Sequence, residues 1–357
     1  MSNSEKIKDA CDVFMALGRD GVLDMLDNAQ AVPAEPAQTW RDALKKSMVG
    51  PDELRSMALE PRQQLLGDWL CEGDLGFIYA PRGVGKTWLA LLIARAVSEG
   101  GSVGGCWKAP AAAKVLYVDG EMPPDLIRER DMGIERGRGN ILFLNHEILF
   151  ERSGEVINIT KPEIQKALID ECEEAGIKLL VLDNLSTLAS GMKENDADAW
   201  EMVNNWLLDF RRRRIAVILV HHAGRNGEMR GTSKREDAAF WVIALEDAKR
   251  HTDDKSGARF KSRFTKPSRN TPDEIPPCEW CIRTDHNSGE VHVTQAPARS
   301  GDQFRRLITE GVVDCGQLAD ELGVSPATVS RMAHKAIREG WLKKKGKEYA
   351  LTEEPGE

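Results

Sequence analysis

The chain has 357 residues, a formal net charge of −8, 41% hydrophobic residues and 30% charged residues. That length allows two or three domains, one with a sizeable core, and that charge excludes a uniformly basic protein, so any contact with DNA must come from local basic surface. The longest aliphatic runs, such as residues 215–220, are strand length and far short of the about 20 residues that cross a bilayer, so no membrane partner is expected.

In chain order, the N-terminus MSNSEKIKDACDVF has early acids and no apolar h-region, so it does not read as a signal peptide. Seven scattered cysteines fit reduced thiols in a cytoplasm. Within residues 1–30, Ile7, Cys11, Phe14, Met15, Val22 and Leu26 recur at three- and four-residue steps, which predicts a helix over 4–28. Residues 31–60 hold an Ala/Pro/Gln-rich linker and a short helix. From 61 to 296 short apolar runs at 76–80, 114–119, 141–145, 178–183 and 215–221 alternate with helical segments near 86–98, 123–136, 161–175 and 195–212. Continuous Val/Ile/Leu runs separated by helices predict an α/β core with a mostly parallel sheet covered on both faces. Further strand signals at 239–245, 258–266, 279–284 and 290–295 predict an antiparallel extension, the last two flanking a DHNSG turn. Residues 302–353 form a separate small unit.

The stretch GFIYAPRGVGKTWLALLIA reads strand, turn, helix, and its turn runs Ala80, Pro81, Arg82, Gly83, Val84, Gly85, Lys86, Thr87, with Trp88 next. This departs from a phosphate-binding loop only in having Ala80 where the first Gly stands. Such a loop cradles phosphates with backbone N–H groups at a helix N-terminus. Lys86 reaches the β- and γ-phosphates of ATP, and Thr87 supplies a hydroxyl for Mg²⁺. Asp183, closing the apolar run LLVLD, is the expected second Mg²⁺ residue. Glu121, in YVDGEM at the end of the second parallel strand, is the expected base for the attacking water, with Asp119 the lesser candidate. His222, at the end of the fifth strand, is placed to sense the γ-phosphate. For each, a structural alternative exists: an Asp capping a turn, a Glu complementing a helix dipole, a strand-end His.

Taken together, APRGVGKT, YVDGEM, VLDNLS, VHHAGRNGEMRGTSKRED and FTKPSRN resemble the RecA-like P-loop NTPases, most closely the RepA-type hexameric helicases, over about residues 62–295. The resemblance implies a homo-oligomeric ring, a hexamer, with ATP between subunits and a Lys or Arg finger supplied in trans. Lys266 and Arg269 are the finger candidates; the spacing has one residue more than the usual Lys-x-Arg, and the Arg that such proteins carry shortly before a late Trp is absent at Phe240-Trp241. It also implies that the loops at 190–200 and 223–237 line a channel for DNA, with Arg225, Arg230, Lys234 and Arg235 as backbone contacts. The first loop offers only Lys193 among several acids. The RRRR run at 211–214 reads instead as a helix end whose cations complement the dipole.

Residues 315–352 read helix, turn, helix, hairpin, with Ser325 as N-cap and Pro326 at the first helical position. Between Arg331 and Lys347 there are seven Lys/Arg and one acid. This unit resembles winged helix-turn-helix domains, and Ser330, Arg331, Lys335, Lys343, Lys344 and Lys345 are the expected duplex contacts. Cys278, Cys281, His286 and His292 have a zinc-knuckle look, while alternation over the same stretch explains it as a plain hairpin. The expected function is an ATP-hydrolysing, DNA-binding ring motor in replication of a mobile element; the alternatives are an ATP-switched DNA-binding regulator or initiator that unwinds nothing, and a nucleotide-dependent assembly protein.

Overall fold

The computed structural model describes residues 18–22, 39–134, 137, 139–192, 197–224, 229, 234–248, 257–273, 275–285, 287–297, 300–322, 324–346 and 348–352. The chain divides into two units, Met1–Glu60 and Pro61–Glu357. In the first, residues 18–22 are helical, and the rest of the helix expected over 4–28 lies outside the described residues. Two short helices follow, α1 (Trp40–Ser47) and α2 (Pro51–Ser56). Thr39 caps α1 by accepting from the Asp42 N–H. Neither helix buries a residue.

The second unit is organised around a nine-stranded sheet. Its elements in chain order are β1 (Gln64–Leu66), β2 (Leu70–Cys71), β3 (Leu75–Ala80), α3 (Lys86–Glu99), β4 (Ser102–Val103), β5 (Trp107–Lys108), β6 (Val115–Asp119), α4 (Pro124–Ile134), β7 (Ile141–Asn145), α5 (His146–Ser153), α6 (Pro162–Glu174), β8 (Leu179–Asp183), α7 (Leu185–Leu188), α8 (Ala197–Arg212), β9 (Ala216–His222), α9 (Lys234–Asp237), β10 (Trp241–Asp247), β11 (Gly257–Lys266), β12 (Cys278–Thr284) and β13 (Val291–Pro297). The sheet order is β13-β12-β11-β10-β3-β9-β8-β6-β7. Two hairpins, β1–β2 and β4–β5, stand apart from it.

Strands β3, β6, β8 and β9 are buried along their whole length. Apolar clusters lie on both sheet faces, one containing Ile78, Val181 and Ile218, the other Phe77, Leu180 and Leu219. This is the α/β class that the alternating runs imply. One detail differs: the sequence puts β10 in the antiparallel extension, but it runs parallel to β3. Its residues Trp241–Leu245 are buried on both faces, as the interior of a parallel sheet requires. The antiparallel part begins at β11. Trp241 packs against β3 so closely that a methyl on Gly76 would lie 2.2 Å from its ring. A chain of indoles, Trp241 to Trp69 at 4.8 Å, Trp69 to Trp107 at 5.1 Å and Trp107 to Trp280 at 4.9 Å, ties the two hairpins to the extension.

Near the C-terminus α10 (Ser300–Thr309), α11 (Cys315–Leu322), α12 (Pro326–Arg338), β14 (Leu342–Lys345) and β15 (Glu348–Leu351) share a small core of Phe304, Leu318, Val329, Ala333, Leu342 and Tyr349. Ser325 caps α12 through the Thr328 N–H, and Pro326 opens it. Strands β14 and β15 pair antiparallel. Among the described residues no helix is long and apolar enough to cross a membrane.

Candidate nucleotide-binding site

Strand β3 delivers the loop 81–85, and α3 starts at Lys86. Ala80 is 1% exposed and sits in the apolar cluster under the sheet. Its methyl therefore points into packing, and its backbone does the loop's work: its carbonyl accepts from Lys86 Nζ at 3.1 Å and from the Ala223 N–H at 2.9 Å. The residue before the turn needs no glycine here. Gly83 and Gly85 are different. Both have positive φ, 79° and 122°, and a methyl on Gly85 would meet the Phe260 ring at 2.6 Å.

Lys86 also donates to the Pro81 carbonyl at 2.9 Å. Burial lowers its pKa, opposed by the charges of Asp183 and Glu121. Asp183 is buried, and it accepts from Tyr117 Oη at 2.7 Å and from Thr87. Burial raises its pKa, with those hydrogen bonds pulling the other way. Asp119 stands beside it in register across β6 and β8. Burial and the Asp183 charge push Asp119 up to about 7. Its Oδ1 accepts from the Glu121 and Met122 N–H groups at 3.0 and 2.7 Å, and its buried Oδ2 has no hydrogen bond among the described residues. Glu121 is exposed to the cleft, and Asn184 Nδ2 donates to its Oε2. His222 is in register with Ala80 and lines the same cleft.

The cleft encloses about 450 Å³ between the loop, Asp119, Glu121, Asp183 and His222. Two adjacent carboxylates that repel each other, one with an orphaned oxygen, and a threonine hydroxyl make an all-oxygen donor set that fits Mg²⁺. No cluster of three or more metal-ligating side chains occurs among the described residues, and Mg²⁺ is bound mostly through phosphate oxygens and water.

Two residues that line the cleft, Asn184 and Arg130, and one buried beneath it, Tyr117, are not marked by the sequence motifs. Asn184 holds Glu121 and also caps α7. Tyr117 donates to Asp183 from the strand interior. Arg130, on α4, stacks its guanidinium 4.8 Å over the Trp88 ring and donates to Met122 Sδ at 3.1 Å. Only Asn184, next to Asp183 in VLDN, carries a signal a sequence could show. The others reach the cleft through sheet register and helix placement.

The loop cations divide. Arg225 and Arg230, and the side chain of Lys234, lie outside the described residues. Arg235 is a correction: it is 0% exposed, with its guanidinium 5.0 Å over the Trp200 ring and Nη1 2.7 Å from His221 Nε2. It is part of the interior, not a DNA-facing side chain.

Lys266 closes β11, and Arg269 follows it, at the end of the sheet opposite the phosphate loop. Lys266 pairs with Val242 at the start of β10, the end opposite the phosphate loop. Lys266 Nζ donates to the Glu236 carbonyl, and Arg269 donates to the Asp237 carbonyl at 3.2 Å. They are not brought to this chain's own cleft. Within the second unit, near the C-terminus, Arg331 and Lys335 are exposed on α12. Ser330 is half-buried and hydrogen-bonds Tyr349, so it faces the hairpin. In β14 Lys343 is half-buried and Lys344 is exposed, while the side chain of Lys345 lies outside the described residues.

The zinc set is not assembled. Cys278 is buried with Trp280 and Ile282, while alternation turns Cys281 to the other face of β12. His286 lies outside the described residues, and His292 is opposite Arg283. The hairpin explanation holds, with Asp285 accepting from the Asn287 and Ser288 N–H groups.

A family model for the AAA domain matches residues 42–228, just over half of the chain. The DNA repair protein RadA of Campylobacter jejuni is 27% identical over 205 residues, which is 56% of this chain and 40% of that protein. This chain thus spans less than half the length of that relative. Two solved structures resemble it distantly. A KaiC-like protein from Pyrococcus horikoshii OT3 has 15% identity and a TM-score of 0.46, covering 66% of this chain and 99% of that one. The flagellar accessory protein FlaH from Methanocaldococcus jannaschii has 12% identity and a TM-score of 0.44, covering 63% and 91%.

Proposed function

From the premise that the chain belongs to the AAA domain family, we propose that it is an ATPase whose hydrolysis is coupled to DNA in a homo-oligomeric ring resembling the RepA-type replicative helicases. One observation carries this reading: Lys86, Thr87, Asp183, Glu121 and His222 arrive from separate strands and one loop at a single 450 Å³ cleft at the C-terminal strand ends.

In that cleft the loop N–H groups and Lys86 bind the phosphates. Thr87 and Asp183 would hold Mg²⁺, which when bound neutralises phosphate charge. Glu121, steadied by Asn184, takes a proton from the attacking water. His222 contacts the γ-phosphate side. Its neighbour His221 points to the other face of β9 and meets Arg235, which stacks on Trp200. In this reading a change at His222 is passed along β9 to His221 and Arg235.

Lys266 and Arg269, remote from this chain's own cleft, serve as fingers for a neighbour's site in this reading. The C-terminal unit has the helix, helix, hairpin order of a winged helix, and Arg331 and Lys335 present cations from α12.

A second reading is favoured by that basic C-terminal unit: an ATP-switched DNA-binding regulator without unwinding. Strand displacement and DNA-stimulated ATP hydrolysis on forked and duplex DNA, with Lys86→Ala as control, separate the two. Unwinding that requires Lys86 supports the motor. Absence of unwinding together with an ATP-dependent footprint at one duplex site overturns it in favour of the regulator.

A further inference from the structure

Four arginines, residues 211–214, run from the last turn of α8 towards β9. Three of them have a carboxylate: Arg212 with Asp209 at 2.5 Å, Arg213 with Glu173 at 3.0 Å and Arg214 with Glu72 at 3.9 Å. Arg211 has none among the described residues, and its guanidinium lies 4.9 Å over the Phe240 ring. A cation that only complemented the helix end would have no need of that ring.

The same ring gathers two more guanidiniums, Arg62 at 4.8 Å and Arg269 at 5.4 Å. The charge of Arg62 is answered by the buried Asp74 at 2.6 Å. Arg269 donates to a neutral acceptor, the Asp237 carbonyl, at 3.2 Å, and its backbone N–H donates to the Phe240 carbonyl at 3.2 Å. Phe240 is itself fixed: it is buried, and its N–H donates to the Leu75 carbonyl at 2.7 Å. Leu75 opens β3, and the phosphate loop follows Ala80, about 16 Å further along that strand. These cations therefore do not serve this chain's own cleft.

Arg211 and Arg269 thus stand within about 10 Å of each other on one apolar floor, where like charges repel. No carboxylate answers either charge among the described residues. Two cations fixed at one point suit a single phosphate group whose charge develops during reaction. Tracking of a DNA backbone uses a groove lined with cations instead.

We propose that Arg211 is a further finger beside Arg269, for a phosphate of the nucleotide bound by a second copy of this chain, and that Phe240 is the positioning residue for both. This rests on the reading that a second copy completes the nucleotide site. The ring holds each guanidinium through its π-face, so little side-chain freedom is left to lose when the phosphate arrives.

The test measures ATP hydrolysis by variants of the full chain, alone and mixed in equal amounts with Lys86→Ala. Arg211→Ala alone is expected to be slower by at least about tenfold, with the loss in kcat rather than KM. The mixture is expected to recover about a quarter of parental activity, as the mixture with Arg269→Ala does. Phe240→Leu is expected to be about fivefold slower in kcat, and Phe240→Tyr, which keeps the ring face, to stay within about twofold of the parent. Undiminished hydrolysis in Arg211→Ala overturns the proposal, and a salt slope of DNA binding lowered by about 1 in that variant would assign Arg211 to DNA instead. Recovery with Arg269→Ala but not with Arg211→Ala overturns it and leaves action in trans standing, whereas no recovery with either overturns both. An equal loss in Phe240→Leu and Phe240→Tyr, or none in Phe240→Leu, overturns the part given to the ring.

Discussion

The Arg235 guanidinium meets the His221 imidazole at 2.7 Å, Nη1 to Nε2, inside the protein. Trp200 supplies the other wall of the same site, its ring 5.0 Å below the guanidinium. Removing this side chain leaves a cavity and strands the groups packed on it, so Arg235→Ala is expected to destabilise the chain by about 3 kcal/mol in urea titrations. By contrast, Arg331→Ala on the exposed face of α12 should leave stability within about 0.5 kcal/mol and lower the salt slope of DNA binding by about 1. A stable Arg235→Ala variant with a reduced salt slope would return Arg235 to the DNA surface.

Ala80 and Gly85 are expected to behave oppositely. Ala80→Gly removes a buried methyl, so it should cost about 1 kcal/mol of stability and change nucleotide affinity by less than about twofold. Gly85→Ala forces a methyl into the Phe260 ring at a positive φ, and should abolish nucleotide binding measured by fluorescence titration. Tighter binding in Ala80→Gly would show that the missing first glycine weakens the site.

Asp119 makes stability depend on pH. Its pKa is about 7 in the fold against 3.8 as the ordinary value, so the native state holds a proton that the unfolded state has lost between those values. The cost of ionising it builds as pH rises from about 4 to about 7 and is constant above. Asp119→Asn keeps the acceptor for the Glu121 and Met122 N–H groups and removes that cost. Without nucleotide it should therefore be more stable than the parent at pH 8, by a few kcal/mol, and no more stable at pH 4. Equal stability gains at both pH values would refute this.

Glu121→Gln should bind ATP as the parent does and hydrolyse it about 10²–10⁴-fold more slowly. Single-turnover measurement separates the two steps. If hydrolysis persists, the base lies elsewhere, and Asp119 is next in line.

The finger assignment makes a mixing prediction. Lys86→Ala and Arg269→Ala should each be inactive alone. Mixed in equal amounts they should recover about a quarter of parental ATP hydrolysis, because an interface with one intact loop and one intact finger is complete. No recovery, with oligomers intact by mass measurement, would sink action in trans.

Much of the site could be read along the chain because its chemistry is local. A strand, a tight turn and a helix N-terminus form a phosphate cradle from consecutive residues, and the α/β class follows from buried runs alternating with helices. Asp183 and His222 stand out in the sequence because each ends such a run, and Glu121 because it follows one by two residues. What the chain order could not reveal was which residues meet across it. The direction of β10 depends on its crossover past β3, and Arg235 and the flanking loop arginines look alike in sequence although Arg235 is interior. Likewise the places of Arg130 and Tyr117 arise from register and helix placement between distant segments. Local backbone propensity and hydrophobic period are properties of neighbours in sequence; burial and charge repulsion depend on separations in space, and only the packed sheet sets those.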